Sequence, residues 1–211
     1  MRLWERAFRR AGIPLAYSEG FNPHPRLSLA APLPVGVTSE AELMDIFISR
    51  PVSPHWFVTS VSRQLPAGAE ILEAHQTAPT MPSLQSQVRY AEYMVKLDSD
   101  HDPAAVQSAV ADLLAAERLP WRHYRDTGER NYDLRALIDN IELVEQHPPG
   151  YVIRMKLRCD SGGSGRPEQV ALALGFAGYP ESIHRARLIL QPPGEAGNGP
   201  VKPYPPQRIR R

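Results

Sequence analysis

The chain has 211 residues, of which 42% are hydrophobic and 22% charged, and a formal net charge of +1 from 24 basic and 23 acidic residues. That balance fits a globular protein, argues against a disordered one, and gives no whole-chain attraction for nucleic acid, so any basic surface must be local. A single cysteine, Cys159, rules out an internal disulfide framework and a thiolate-rich zinc or iron–sulfur centre.

The opening residues, MRLWERAFRRAG, interrupt every apolar run with charge, unlike a signal peptide. No stretch reaches the ~18 apolar residues of a membrane span. A cytoplasmic protein with no membrane partner is expected. Leu3, Trp4, Ala7, Phe8 and Ala11 recur at helical spacing, which predicts a helix over 2–11 with that face inward, ended by Gly12 and Pro14. Residues 18–26, SEGFNPHPR, are a loop, because Gly20, Asn22, Pro23 and Pro25 resist regular structure.

Strands are predicted at 27–31 and 42–49, joined by a connection too long for a tight hairpin. Ser53 and Pro54 open a second helix that buries Phe57, Val58, Val61 and Leu65. Residues 69–75 are expected to form a strand, and 76–87 a linker, or a linker leading into a short helix. A second series follows: a strand at 91–97, a helix over 103–117 with Asp102 as cap, a strand within 132–145, a half-buried strand over 151–158, a short helix at 167–174 and a strand at 183–190. Its order, strand–helix–strand–strand–helix–strand, is that of the ferredoxin-like split βαβ motif.

The first series has the same order if one strand precedes residue 2. The expected architecture is therefore α+β: tandem ferredoxin-like domains over 1–78 and 79–190, the first lacking its N-terminal strand. A disordered basic Pro/Gly-rich tail is expected over 191–211, where Lys202, Arg208, Arg210 and Arg211 stand against Glu195. On this reading the native chain begins roughly 20 residues earlier, the length of one strand and its connection.

Three blocks carry a resemblance. RRAGIPLAYSEGFNPHPRLSLAAPLPVGVTSEAELMDI (9–46), YDLRALI (132–138) and GGSGRPEQVALAL (162–174) together resemble the radical-SAM-linked accessory family, whose domain is fused to, or encoded beside, a radical SAM protein. That family normally opens with a strand and a Ser-His-Leu-Asp-Leu segment, which this chain lacks. What the resemblance implies is a radical SAM protein as partner, not an activity. The CxxxCxxC cluster motif of radical SAM enzymes is absent here, so no cofactor is expected. At the level of fold alone, the tandem plan also looks like RNA-processing proteins of CRISPR systems.

The candidate binding set is Arg9, Arg10, Tyr17, Ser18, Gly20, Phe21, Asn22, His24, Arg26 and Arg166. Arginines bind phosphate bidentately, Tyr17 and Phe21 offer faces for stacking bases, and Gly20 lets backbone amides approach an anion. Over residues 1–26 five Arg face two Glu. The same residues also fit a rigid surface loop with solvated arginines. His24, between two prolines, is the weak catalytic candidate as a general acid or base; a hydrogen-bonded structural role is the alternative. Arg166 follows SGGSG at a helix start, a natural anion position or a plain connector. Arg154, Lys156 and Arg158 share a strand face that reads as solvated, and Arg130, Tyr132, Asp133 and Arg135 as a polar patch or a charged edge strand. Cys159 reads as inert, and no metal site is expected. The leading functional expectation is a non-catalytic accessory module presenting an RNA substrate to a radical SAM protein. The alternatives are a metal-independent RNA-processing enzyme centred on His24 and a pure protein–protein adaptor.

Overall fold

The computed structural model describes residues 1–125, 128–147 and 149–191; the tail beyond 191, read above as disordered, lies outside them. The fold is mixed α+β and divides into two compact units, 1–29 with 44–83, and 30–43 with 84 onward. The sequence reading keeps 30–43 in the first domain, whereas in the structure these residues join the second unit. None of the described helices is long and apolar enough to cross a membrane.

In the first unit, α1 (Arg2–Arg10) buries Ala7 and Phe8 and leaves Trp4 and Ala11 half-buried. Leu3, expected inward, is exposed. Its angular position lies at the margin of the stripe that Ala7 and Phe8 centre. The ring of Phe8 stacks on Trp4 at 5.8 Å and meets Phe57 at 5.7 Å. Phe57 and Val61 come from α2 (Pro54–Ser62), where the Ser53 hydroxyl accepts the Trp56 N–H at 3.4 Å and Pro54 occupies the first turn. Ile13, Leu15, Phe57 and Val61 close this small core with Phe8, and each fully buried side chain contributes about 1.5–3 kcal/mol.

The strands of this unit are short. β1 (Leu27–Leu29) pairs antiparallel with β3 (Met44–Ile46), and Leu15 extends the same edge by a bridge to Ile48. The strand expected over 69–75 does not form. Ile71 and Ala74 still pack on the core, but no strand among the described residues runs beside them to complete a ladder, and a strand is defined by its ladder.

The second unit is built on one sheet. β2 (Val37–Ser39), β4 (Val88–Asp98), β7 (Ile138–His147), β8 (Gly150–Asp160) and β10 (Ser182–Leu190) stand in the order β2-β10-β4-β8-β7. Every neighbouring pair is antiparallel except β10 with β2. A two-residue β9 (Gly163–Ser164) pairs with the end of β8. α3 (Leu84–Gln87) leads into β4, and α4 (Pro103–Ala115) and α5 (Pro167–Ala173) are the crossovers. Alternation decides the faces. Ala91, Tyr93, Val95 and Leu97 of β4, and Tyr151, Ile153, Met155 and Leu157 of β8, enter the core with Val106, Leu113, Val170 and Ala171 of the helices.

The opposite face is charged and paired. Arg154 meets Glu142 at 2.8 Å, Lys156 meets Asp139 at 2.8 Å, and Arg187 holds Glu92 through two bonds of 2.7 and 2.8 Å. Between α4 and β7 the chain inserts a separate hairpin, β5 (Pro120–Arg125) with β6 (Gly128–Asp133), followed by a 3-10 turn at Arg135–Leu137. The strand expected within 132–145 is thus the end of β6, a turn and most of β7.

Candidate functional site

The loop read from SEGFNPHPR is a small hairpin standing off the edge of β3. Ala16 N–H donates to the Phe47 carbonyl at 2.8 Å and Arg26 N–H to the Ala16 carbonyl at 2.9 Å, which fixes both stems. Tyr17 bridges to Pro25. Above that bridge, Ser18 N–H donates to the His24 carbonyl at 2.9 Å, and His24 N–H donates back to the Ser18 hydroxyl at 3.0 Å. Ser18 and His24 therefore form a clasp below the tip, and the sharp reversal is made at Gly20, whose φ of +120° suits only glycine.

This clasp displays the rest. Glu19 to His24 are all exposed, and the Phe21 ring is fully exposed at the tip. Tyr17 is about half exposed on the stem, at 49%. The Arg26 guanidinium lies over the ring of Phe47, itself partly exposed, at 4.2 Å from its centroid. The structure thus brings Tyr17, Ser18, Gly20, Phe21, Asn22, His24 and Arg26 onto one hairpin. Phe47, which packs under Arg26, is absent from the candidate set read from the sequence; alternation places it with Asp45 on the mixed face of its strand, opposite Met44, Ile46 and Ile48, and that is the signal for it. Arg9 and Arg10 are exposed in the last turn of α1, joined to the hairpin stem through Gly12 and Ile13.

His24 is engaged through its backbone, and its exposed side chain meets no carboxylate or nucleophile among the described residues. Arg166 lies in the other unit, as the residue before α5, with its guanidinium 3.7 Å from Glu168. No group of His, Cys, Asp and Glu among the described residues is arranged to hold a metal ion.

Two polar features of the second unit remain. A concavity of about 360 Å³ is lined by Asp98, Ser99, Asp100, His101 and Ala177. His101 is already committed there: its Nδ1 lies 2.6 Å from the Ser99 hydroxyl, its ring meets Phe176 edge-on at 5.5 Å, and its carbonyl accepts the Tyr151 hydroxyl. Inside the unit, Arg185 is 1% exposed, yet charged. Its Nε donates to Glu42 at 2.7 Å, and its Nη2 donates to Glu42 and, at 2.8 Å, to the Ala31 carbonyl.

Burial opposes the Arg185 charge, but the Glu42 hydrogen bonds and carboxylate more than offset it and hold its pKa up. Tyr93 hydrogen-bonds the same guanidinium; burial and nearby Cys159 push its phenol up. Burial also pushes the Cys159 thiol up, against the pull of Arg185 and a hydrogen bond with Ser164, so the sulfur is a protonated, weak nucleophile.

Compared with known families, residues 1–167 match one described as an uncharacterized protein conserved in bacteria, DUF2344. That description names neither an activity nor a partner, so the radical SAM link stands on the sequence resemblance alone. No curated protein matches the chain. Among solved structures, one similar chain belongs to a Cbf5-Nop10-Gar1 complex, with 17% identity and a TM-score of 0.36 over 50% of this chain and 32% of that one. This chain spans about a third of that chain's length.

Proposed function

We propose that this chain, which belongs to the DUF2344 family conserved in bacteria, is a non-catalytic accessory module that binds RNA through the 17–26 hairpin and presents it to a radical SAM protein. One observation carries the reading: Phe21 stands fully exposed on a hairpin whose stem is fixed by backbone bonds and the Ser18–His24 clasp. An exposed aromatic ring on a rigid mount loses little entropy when a base stacks on it, and such stacking contributes about 1–3 kcal/mol per base. Tyr17 supplies a second face, and Arg26, already over Phe47, supplies a cation beside them. The displayed groups point outward from a protrusion and do not converge around a cleft, which supports binding over chemistry at His24.

The accompanying fold reading is ferredoxin-like. Setting the β5–β6 hairpin aside, β4-α4-β7-β8-α5-β10 follows the split βαβ order with β4 and β8 central, which supports that plan for the second unit. The sequence α1-β1-β3-α2 with the extended 69–75 segment supports a partial version in the first.

The test is recovery of the tagged protein from its native cells, with co-purified protein and RNA identified, together with binding of the recovered RNA by Phe21→Ala and Arg26→Ala. Recovery of a radical SAM protein and an RNA, with binding weakened at least tenfold by Phe21→Ala, is the expected result. RNA cleavage lost in His24→Ala with binding intact replaces this reading with an RNA-processing enzyme. A protein partner with no RNA affinity replaces it with an adaptor.

A further inference from the structure

We propose that the β5–β6 hairpin of the second unit is a phosphate-gripping arm for the same RNA, acting through Arg130 and His123 on one face and Arg166 beside its base. The inference rests on the RNA-binding reading above and assigns a second contact surface to it.

The arm is rigid at its root. The Asp133 carboxylate accepts the Leu119 N–H at 2.9 Å and the Arg135 N–H at 3.0 Å, and Leu134 N–H donates to the Leu119 carbonyl at 2.9 Å. Arg135 ties the following turn down by donating to the carbonyls of Ile138 at 2.6 Å and Leu114 at 3.0 Å. Trp121 and Tyr132, opposite each other across the ladder, pack against the core, and the Tyr132 hydroxyl donates to Gln169 of α5.

The register then separates the arm's two faces. Arg122 and Asn131 share a face with Glu129, which takes the Arg122 guanidinium at 3.3 Å and the Asn131 amide at 2.9 Å. On that face Glu129 therefore stands against the one described cation, Arg122. The other face carries the Trp121–Tyr132 pair at the root and, one ladder step of roughly 7 Å further out, the pair His123–Arg130. There Arg130 is exposed, and no carboxylate among the described residues pairs with it.

The root of this same face leads to Arg166. Gln169, bound by Tyr132, donates its N–H to the Arg166 carbonyl at 3.0 Å, and the Arg166 side chain is partly exposed. The result is a strip of side-chain donors, Arg130 and His123 on the two-stranded ribbon and Arg166 beside its root; Glu168 stands 3.7 Å from Arg166, so Arg130, which no described carboxylate holds, supplies most of the strip's charge. Its charge complements a polyanion, and guanidinium groups suit phosphate oxygens. The strip carries no exposed aromatic ring for a base to stack on, so it grips the backbone while the 17–26 hairpin takes bases.

The experiment measures binding of the full chain to a mixed-sequence single-stranded RNA oligonucleotide across a potassium chloride series. The double variant Arg130→Gln/Arg166→Gln is expected to bind severalfold more weakly and to lower the salt slope by at least about 0.7, the value for the one phosphate that Arg130 neutralises. Arg122→Gln, whose charge Glu129 already holds, is expected to change little. Glu129→Gln, which frees Arg122, is expected to tighten binding and steepen the slope.

An unchanged slope in the double variant, with wild-type binding intact and Phe21→Ala still weakening it, overturns the arm and leaves the hairpin reading standing. A reduced slope in the double variant with no effect of Phe21→Ala supports the arm and removes the hairpin as the base contact. Equal affinity for single-stranded DNA of the same sequence overturns the assignment to RNA.

Discussion

Arg185 shows how much one residue decides in this chain. Its strand, IHRARLIL, alternates, and strict alternation puts Ile183, Arg185 and Arg187 on one face. The structure keeps Ile183 and Arg185 inward and shifts register between Arg185 and Arg187, so Arg187 turns outward to Glu92. A bulge spares the unit a second buried charge. The carboxylate that neutralises Arg185 comes from Glu42, 143 positions away, so nothing local in the sequence announces it. Glu42→Gln should leave a buried guanidinium without its counter-charge and cost about 3 kcal/mol in urea unfolding, whereas the double variant Arg185→Met/Glu42→Leu should recover most of that loss. Loss in the double variant equal to that in the single would show that packing, not charge, is the cause.

At the scale of elements, chemistry and punctuation are legible and pairing is not. Ser53-Pro54 and Asp102-Pro103 mark the helix starts that the structure shows, although the Asp102 side chain makes no capping bond. The 17–26 segment is recognisable as a non-helical, non-strand feature because Gly20, Pro23 and Pro25 forbid alternatives. That it is a clasped hairpin depends on Ser18 meeting His24 across the tip, a geometric fact with no sequence marker. Ser18→Ala should leave global stability within about 1 kcal/mol, since it removes one exposed hydrogen bond. It should nevertheless raise hydrogen exchange at the His24 amide and weaken the RNA binding proposed for this hairpin, through loosening of the mount. Unchanged exchange at that amide would show that the prolines alone hold the tip. The β5–β6 ribbon is hard to read because Arg122, His123, Asn131 and Arg130 make both its faces polar, so period two leaves no apolar stripe.

For the whole molecule, the decisive feature is that 30–43 leaves the first unit and completes the second. β2 pairs parallel with β10 through Val37–Ile183, Thr38–His184 and Ser39–Arg185, the Thr38 hydroxyl lies 2.8 Å from His184 Nδ1, and Glu42 follows to reach Arg185. A fragment cut at the boundary the sequence suggests, 79–190, lacks that strand and that carboxylate. It is expected to unfold at lower urea than the second unit of the full chain, and a synthetic 30–43 peptide should restore part of the loss. A fragment as stable as the full chain, indifferent to the peptide, would show that the segment is dispensable.

By itself the sequence determined what is local: the α+β class, which periodicity reveals; most helix starts, which caps and prolines mark; the protruding loop, which glycine and proline impose; and the inward faces of β4 and β8, which alternation sets. Only the tertiary structure decided which strands pair, that 69–75 forms no ladder, that 30–43 serves the second unit, and that Arg185 is buried with Glu42. Ladders and ion pairs of that kind join residues far apart in the chain, and their energy exists only once both partners are brought together; no window of neighbouring residues contains it.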